Sequence, residues 1–242
     1  MERRTNIRTL SAGVFLLAAV LFTACGGNRA AGGSAGVVLH TTAGDIRLEL
    51  DGRTPRHRDN FLKLTREGFF DSVLFHRVIA GFMIQSGDPD SRRAPAGMPL
   101  GEGGAGYELP AEIVYPALGH TRGALAAART PDFMNPGKKS SSSQFYIVWG
   151  RQMTDEELDR AQQRVTGGTN GRVVIPDSLR KLYKTVGGTP HLDGQYTVFG
   201  RVTQGLEVVE AIQGVETDSL DRPLADVRIL RAEVVREPDT EK

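Results

Sequence analysis

The chain has 242 residues, a formal net charge of +1 and 39% hydrophobic residues, an ordinary globular composition rather than a disordered or fibrous one. Near-neutral charge gives no electrostatic footprint for nucleic acid, so no nucleic-acid partner is expected. A single cysteine, Cys25, excludes an intramolecular disulfide, and 29 glycines favour turns over long helices.

The N-terminus reads as a targeting segment. Arg3, Arg4 and Arg8 precede an uncharged apolar run from Leu10 to Ala24, too short for a comfortable membrane span. Thr23 and Ala24 directly before Cys25 resemble a bacterial lipobox, with Phe22 where leucine is usual. The expectation is a lipoprotein signal peptide over 1–24, cleavage before Cys25 and lipidation of its thiol. Several acyl chains would then hold the protein to the cell envelope, facing the periplasm, where one chain is marginal. An ordinary signal peptide with an incidental cysteine is the alternative. Residues 25–36, rich in glycine and poor in apolar bulk, read as a flexible tether.

From residue 37 the chain reads as one domain to 235, followed by a short tail over 236–242. "VVLHTTAGDIRLEL" alternates on either side of a turn, a hairpin signal with Ile46, Leu48 and Leu50 on one face. "TPRHRDNFLKLTREG" reads as a helix with Thr54 as N-cap, Pro55 at the first position and Gly68 at the end. Phe61, Leu62 and Leu64 form its apolar stripe. "FHRVIAGFMIQSGD" gives two short strands around a turn. Alternation puts Phe75, Arg77 and Ile79 on one side, and Met83 with Gln85 across the turn. Further strands are expected in "GHTRGALAAART", "SSSSQFYIVWG", "QYTVFGRV" and "DVRILRAEVV", with a short helix in "LEVVEAIQG". About eight short strands and two short helices predict a mainly β fold, a closed eight-stranded antiparallel barrel with two capping helices.

Residues 151–186 break this rhythm and read as a helical insertion. Thr154 with Glu157 is a capping box opening an acidic first turn. Pro176 opens a second helix, with Leu179, Leu182 and Val186 on one side. Apolar residues at helical spacing pack more often than they bind, so a covering flap is expected ahead of a substrate-recruiting surface.

Several motifs lead nowhere. "GEGGAG", Gly101 to Gly106, fits a dinucleotide fingerprint in letters only, because Pro110 blocks the helix that should follow. A rim loop is expected instead. The five histidines have no metal-type spacing, and no metal or cofactor is implied. Ser140 to Ser143 lack a nucleophile elbow and read as a loop. Arg77 is different. A guanidinium among Phe75, Val78, Ile79, Phe82 and Met83 is either held in a salt bridge or lines an apolar groove with Gln85.

"FHRVIAGFMIQSGD", "SSSQFYIV" and "HLDGQYTVFGRV" together resemble the cyclophilin-type peptidyl-prolyl cis-trans isomerases, and "NFLKLTREGFFDSVLFHRVI" and "GHTRGALAAAR" extend the match over 37–150 and 187–235. The resemblance implies a barrel of this kind and Arg77 as the catalytic donor. Phe82, Met83, Tyr146 and Leu192 match positions lining a proline pocket, and Gln85 and Gln144 the polar groups near the substrate backbone. Ala128 and Arg129 match the strand that hydrogen-bonds the peptide. His191 and Tyr196 stand where the family commonly has Trp and His, and Tyr146 where many members have Phe. Loss of that Trp implies weak cyclosporin binding. The implied partners are proline-containing polypeptides, bound by a monomer without cofactor. A cyclophilin-fold chaperone that holds such segments with little turnover is the competing reading; an intact Arg77, Gln85 and Gln144 favour the enzyme.

Overall fold

The computed structural model describes residues 1–2 and 35–236. By contacts the chain divides into Met1–Gly32 and Gly33–Lys242, and every element below lies in the second unit. Cys25, nearly all of the expected signal peptide and tether, and residues 237–242 lie outside the described residues.

The hairpin opens the domain as β1 (Ala35–Thr41) and β2 (Gly44–Leu50). Val37 and Leu39 oppose Leu48 and Ile46, all fully buried. Helix α1 spans Pro55–Arg66 and ends where Gly68 takes the left-handed conformation at φ 67°, which costs glycine no Cβ clash. Its Phe61 lies 4.7 Å from the Phe70 ring, 5.3 Å from Phe145 and 5.5 Å from Phe199. Aromatic pairs of this kind add about 0.5–1.5 kcal/mol each beyond area burial, so α1 is fixed onto the sheet by its apolar stripe.

Thr54 does not cap α1 as expected, for its hydroxyl donates to the Asp51 carbonyl. The orphan N–H groups of the first turn are satisfied from 55 residues away. Glu112 accepts from the backbone N–H of Arg56 at 3.1 Å and of His57 at 3.0 Å, and its carboxylate also meets His57 Nδ1 at 2.6 Å.

The remaining strands are β3 (Arg77–Ile79), β4 (Met83–Ser86), β5 (Glu108–Leu109), β6 (Ala124–Ala127), β7 (Ser140–Ser141), β8 (Phe145–Val148), β9 (Val198–Gln204) and β10 (Ile229–Arg236). Helices α2 (Asp155–Gly168) and α3 (Asp177–Thr185) occupy the 151–186 segment, and α4 (Leu206–Gln213) precedes β10. Eight strands form one antiparallel sheet in the order β10-β1-β2-β9-β6-β8-β4-β3; β5 and β7 pair separately.

The eight-stranded ladder by itself forms an open half-barrel. Its end strands β3 and β10 do not pair with each other. The reason lies on the outer side of β3, where Val78 N–H donates to the Asp221 carbonyl at 2.8 Å. A loop thus occupies the edge that a neighbouring strand would need. Bonds between 72–75 and 227–229 join the two ends lower down, with Ser72 N–H to Ile229 O at 2.8 Å and Phe75 N–H to Val227 O at 2.9 Å.

Both faces of the sheet are covered, and strand alternation divides them. Leu125, Ala127, Phe145, Ile147 and Ile84 join α1 and α4 in the main core. Their neighbours Ala124, Ala126, Tyr146, Val148 and Met83 form a second apolar face with Phe82, Leu192 and Tyr196. A third cluster, Leu158, Ala161, Ile175, Leu179 and Tyr183, holds α2 and α3 together. Alternation fails at Phe75, which is buried in the main core with Val78, whereas Arg77 and Ile79 face the other way. Residues 75 and 76 are not in the strand, so the period starts only at Arg77. The apolar face of α3 also differs from expectation. Leu179 and Tyr183, four apart, are buried, while Leu182 and Val186 are exposed.

Candidate active site

Over the second apolar face lies a groove of about 610 Å³. Phe82, Met83, Tyr146 and Leu192 line it, with Arg77, Gln85, Ala128, Arg129 and Tyr196 around them. These nine positions come from β3, β4, β8, the turn between β3 and β4, the residues just after β6 and the approach to β9, and the sheet register brings Arg77, Gln85 and Tyr146 side by side. Arg77 lies directly opposite Gln85, and Gln85 directly opposite Tyr146.

The Arg77 side chain is 42% exposed, so its charge keeps much of its hydration. Its Nε faces the Asp221 carboxylate at 3.3 Å and its NH1 the Gln85 Oε1 at 3.5 Å. Both readings of this arginine therefore hold together: a salt bridge orients it, and it still lines an apolar groove. The polar row continues from Gln85 Nε2 to Gln144 Oε1 at 2.9 Å, and Gln144 Nε2 donates to the Gly101 and Gly103 carbonyls at 2.7 Å each.

Gln144 is only 6% exposed and lines an adjacent cleft with Thr130, Pro131 and Ser141 rather than the main groove. Its amide braces the glycine loop and leaves Gln85 as the polar group facing outward. His191 does not line the groove; its ring stacks on Phe82 at 5.5 Å and 27°. The Arg129 guanidinium is already engaged, donating to Gln195 O at 2.9 Å, pairing with Asp132 at 2.6 Å and lying 4.3 Å over the Tyr196 ring. The Tyr146 hydroxyl is engaged at 3.0 Å by His120 Nε2, so the pocket gains the ring and not a free hydroxyl. Burial pushes this phenol well above its usual range.

The loop 101–106 opens no helix. Asp88 fills its hollow, accepting from Gly101 N–H at 2.6 Å, and a Cβ on Gly103 would lie 2.1 Å from the same carboxylate. A carboxylate in that place repels phosphate, which separates this loop from nucleotide cradles.

Sequence reasoning missed the far wall. His76, Met98, Leu100, Asp218, Leu220 and Arg222 also line the groove. Arg222 is buried and ties two loops together, donating to Pro95 O at 2.9 Å and Met98 O at 2.8 Å. The Arg77–Asp221 pair spans 144 residues, and no local pattern signals it.

An apolar groove in which Arg77 is the half-exposed guanidinium, on an eight-stranded half-barrel, is a cyclophilin-like arrangement. The family model described as cyclophilin type peptidyl-prolyl cis-trans isomerase/CLD matches residues 36–234. Peptidyl-prolyl cis-trans isomerase-like 1 of Neurospora crassa is 34% identical over 209 residues, covering 85% of this chain and 97% of its own. A cyclophilin type isomerase of Cryptosporidium parvum superposes with TM-score 0.60 at 25% identity, covering 85% of this chain and 99% of that one. A structure of that protein in the presence of the dipeptide Ala-Pro gives 0.58 at 25% identity, covering 84% and 99%. The chain belongs to the cyclophilin-type peptidyl-prolyl cis-trans isomerase family. Peptidyl-prolyl cis-trans isomerisation is accordingly its activity.

Proposed function

We propose that this groove binds X-Pro segments of exported or non-native polypeptides and that Arg77 catalyses their isomerisation by transition-state stabilisation, without a covalent intermediate. The placement of one oriented, half-exposed guanidinium beside an apolar pocket carries this reading. Rotation about the X-Pro bond removes amide resonance, and the prolyl nitrogen gains a lone pair that the planar peptide lacks. A fixed donor binds that twisted state in preference to the ground state. Arginine suits the task because its fork is rigid and stays protonated.

The proline ring packs on Phe82, Met83, Tyr146 and Leu192, and Gln85 meets the peptide backbone. Ala128 has both backbone groups engaged, its N–H with Gln144 O at 3.0 Å and its carbonyl with Ser141 N–H at 2.8 Å. Backbone pairing with the peptide therefore falls to Arg129. The Ala-Pro dipeptide present with the Cryptosporidium relative supports a proline-containing ligand. Titration with a short X-Pro peptide is expected to shift the resonances of Phe82, Met83, Tyr146 and Leu192. Shifts confined to other surfaces would contradict the assignment.

The protein acts as a monomer, held to a membrane by lipid on Cys25 and facing the periplasm. The basic segment, the apolar run and the small residues before the chain's single cysteine support this placement. A Cys25→Ser variant is expected in the soluble fraction or unprocessed in the membrane. Normal cleavage with unchanged membrane attachment would refute the anchor.

A further inference from the structure

Behind the pocket floor runs a buried polar chain that joins the groove to the 151–186 segment. Tyr146 OH meets His120 Nε2 at 3.0 Å. His120 Nδ1 lies 3.0 Å from Asp193 Oδ1, which also accepts the His120 backbone N–H at 2.9 Å. Tyr183 OH, from α3, donates to Asp193 Oδ2 at 2.7 Å. His120 and Asp193 are 1% and 0% exposed, and Tyr183 is fully buried.

Burial, reinforced by the neighbouring Asp193 charge, raises the Tyr183 phenol, so it keeps its proton and donates. The Asp193 carboxylate then accepts from the Tyr183 hydroxyl and the His120 backbone N–H. With the carboxylate 3.0 Å from Nδ1, we assign the His120 ring proton to Nδ1, which leaves Nε2 to accept from Tyr146. One further ring packs on this chain nearly at right angles: Tyr196 meets His120 at 6.3 Å and Tyr146 at 6.0 Å.

We infer that Tyr183 is a positioning residue for the peptide groove: through Asp193 and His120 it fixes the ring of Tyr146 on which the substrate packs. The inference rests on the reading of the groove given above. It assigns the 151–186 segment a task at the site although none of its residues lines the groove. It also explains why a tyrosine stands at the pocket floor: its hydroxyl is the end of a chain that begins on α3.

The test is the affinity of a short X-Pro peptide, with kcat and KM beside it, in wild type, Tyr183→Phe, Tyr146→Phe and the double variant. Coupled residues give non-additive effects. Tyr183→Phe is expected to weaken binding and raise KM by about fivefold with kcat within about twofold, and to add less than about twofold when Tyr146 is already Phe. An unchanged affinity in Tyr183→Phe would overturn the inference, as would equal weakening in both backgrounds. Nitrogen-15 shifts of the His120 ring test the same chain in the unaltered protein. A proton on Nδ1 with acceptor Nε2 is expected; the other tautomer, or imidazolium near neutral pH, would overturn it. Arg77→Ala measured alongside separates the two claims. If that variant kept its turnover the catalytic reading would fail, while the affinity comparison would still decide the role of Tyr183.

Discussion

Arg77 avoids the penalty of a buried charge by its exposure and its bridge to Asp221; the penalty falls instead on its neighbour. His76 is 3% exposed, and among the described residues neither of its ring nitrogens has a hydrogen-bond partner. Burial lowers its pKa to about 4, against the partial support of the Asp88 charge. An unfolded chain takes up this proton near pH 6.5, before the folded one does. Stability from His76 is therefore fully present above about 6.5 and lost as pH falls toward 4, by roughly 3 kcal/mol at about 1.36 kcal/mol per unit. Denaturation midpoints between pH 7 and 4.5 should fall more in wild type than in a His76→Gln variant. Parallel curves would contradict this. The Arg77–Gln85 pair was legible because a hairpin fixes what faces what within eight residues. Asp221 was not, because only the tertiary fold brings it there.

Helices illustrate how far local signals reach. The capping box of α2 is present as read, with Glu157 N–H donating to Thr154 Oγ at 3.3 Å and Thr154 N–H to Glu157 Oε2 at 2.9 Å. Both halves lie within four residues, so the sequence contains the whole device. In α1 the same rules fail because the cap comes from a distant loop, and Thr54 fits the local pattern without performing it. Glu112 both caps the helix and bonds the buried His57. Its own pKa is lowered: burial alone would raise it, but the bonds from His57 and the two backbone N–H groups outweigh that. Glu112→Ala should cost about 2–4 kcal/mol, since it removes a cap and leaves a buried histidine unpaired. Equilibrium denaturation measures this, and an unchanged midpoint would refute it. On α3 the apolar stripe was read one step off, because Tyr183 is polar enough to be overlooked and apolar enough to be buried.

At the scale of the molecule, period-two alternation made the mainly β architecture and the Arg77–Gln85 edge legible from the chain, whereas the rest of the groove lining was legible only through the family resemblance. One face of each central strand fills the core, and the other supplies the pocket floor. What the alternation could not reveal was the loop from 218 to 222. It covers the edge of β3, leaves the sheet an open half-barrel and carries both Asp221 and a wall of the groove. The 151–186 segment likewise required the fold before its link to the site became visible. Above all, the account stands on one guanidinium acting on the twisted peptide. Isomerisation of a short X-Pro peptide by wild type and by Arg77→Ala tests this directly. Removing an electrostatic donor should lower kcat/KM by about 100-fold or more, near 2.7 kcal/mol, with peptide affinity changed far less. Retention of wild-type turnover by Arg77→Ala would contradict the account.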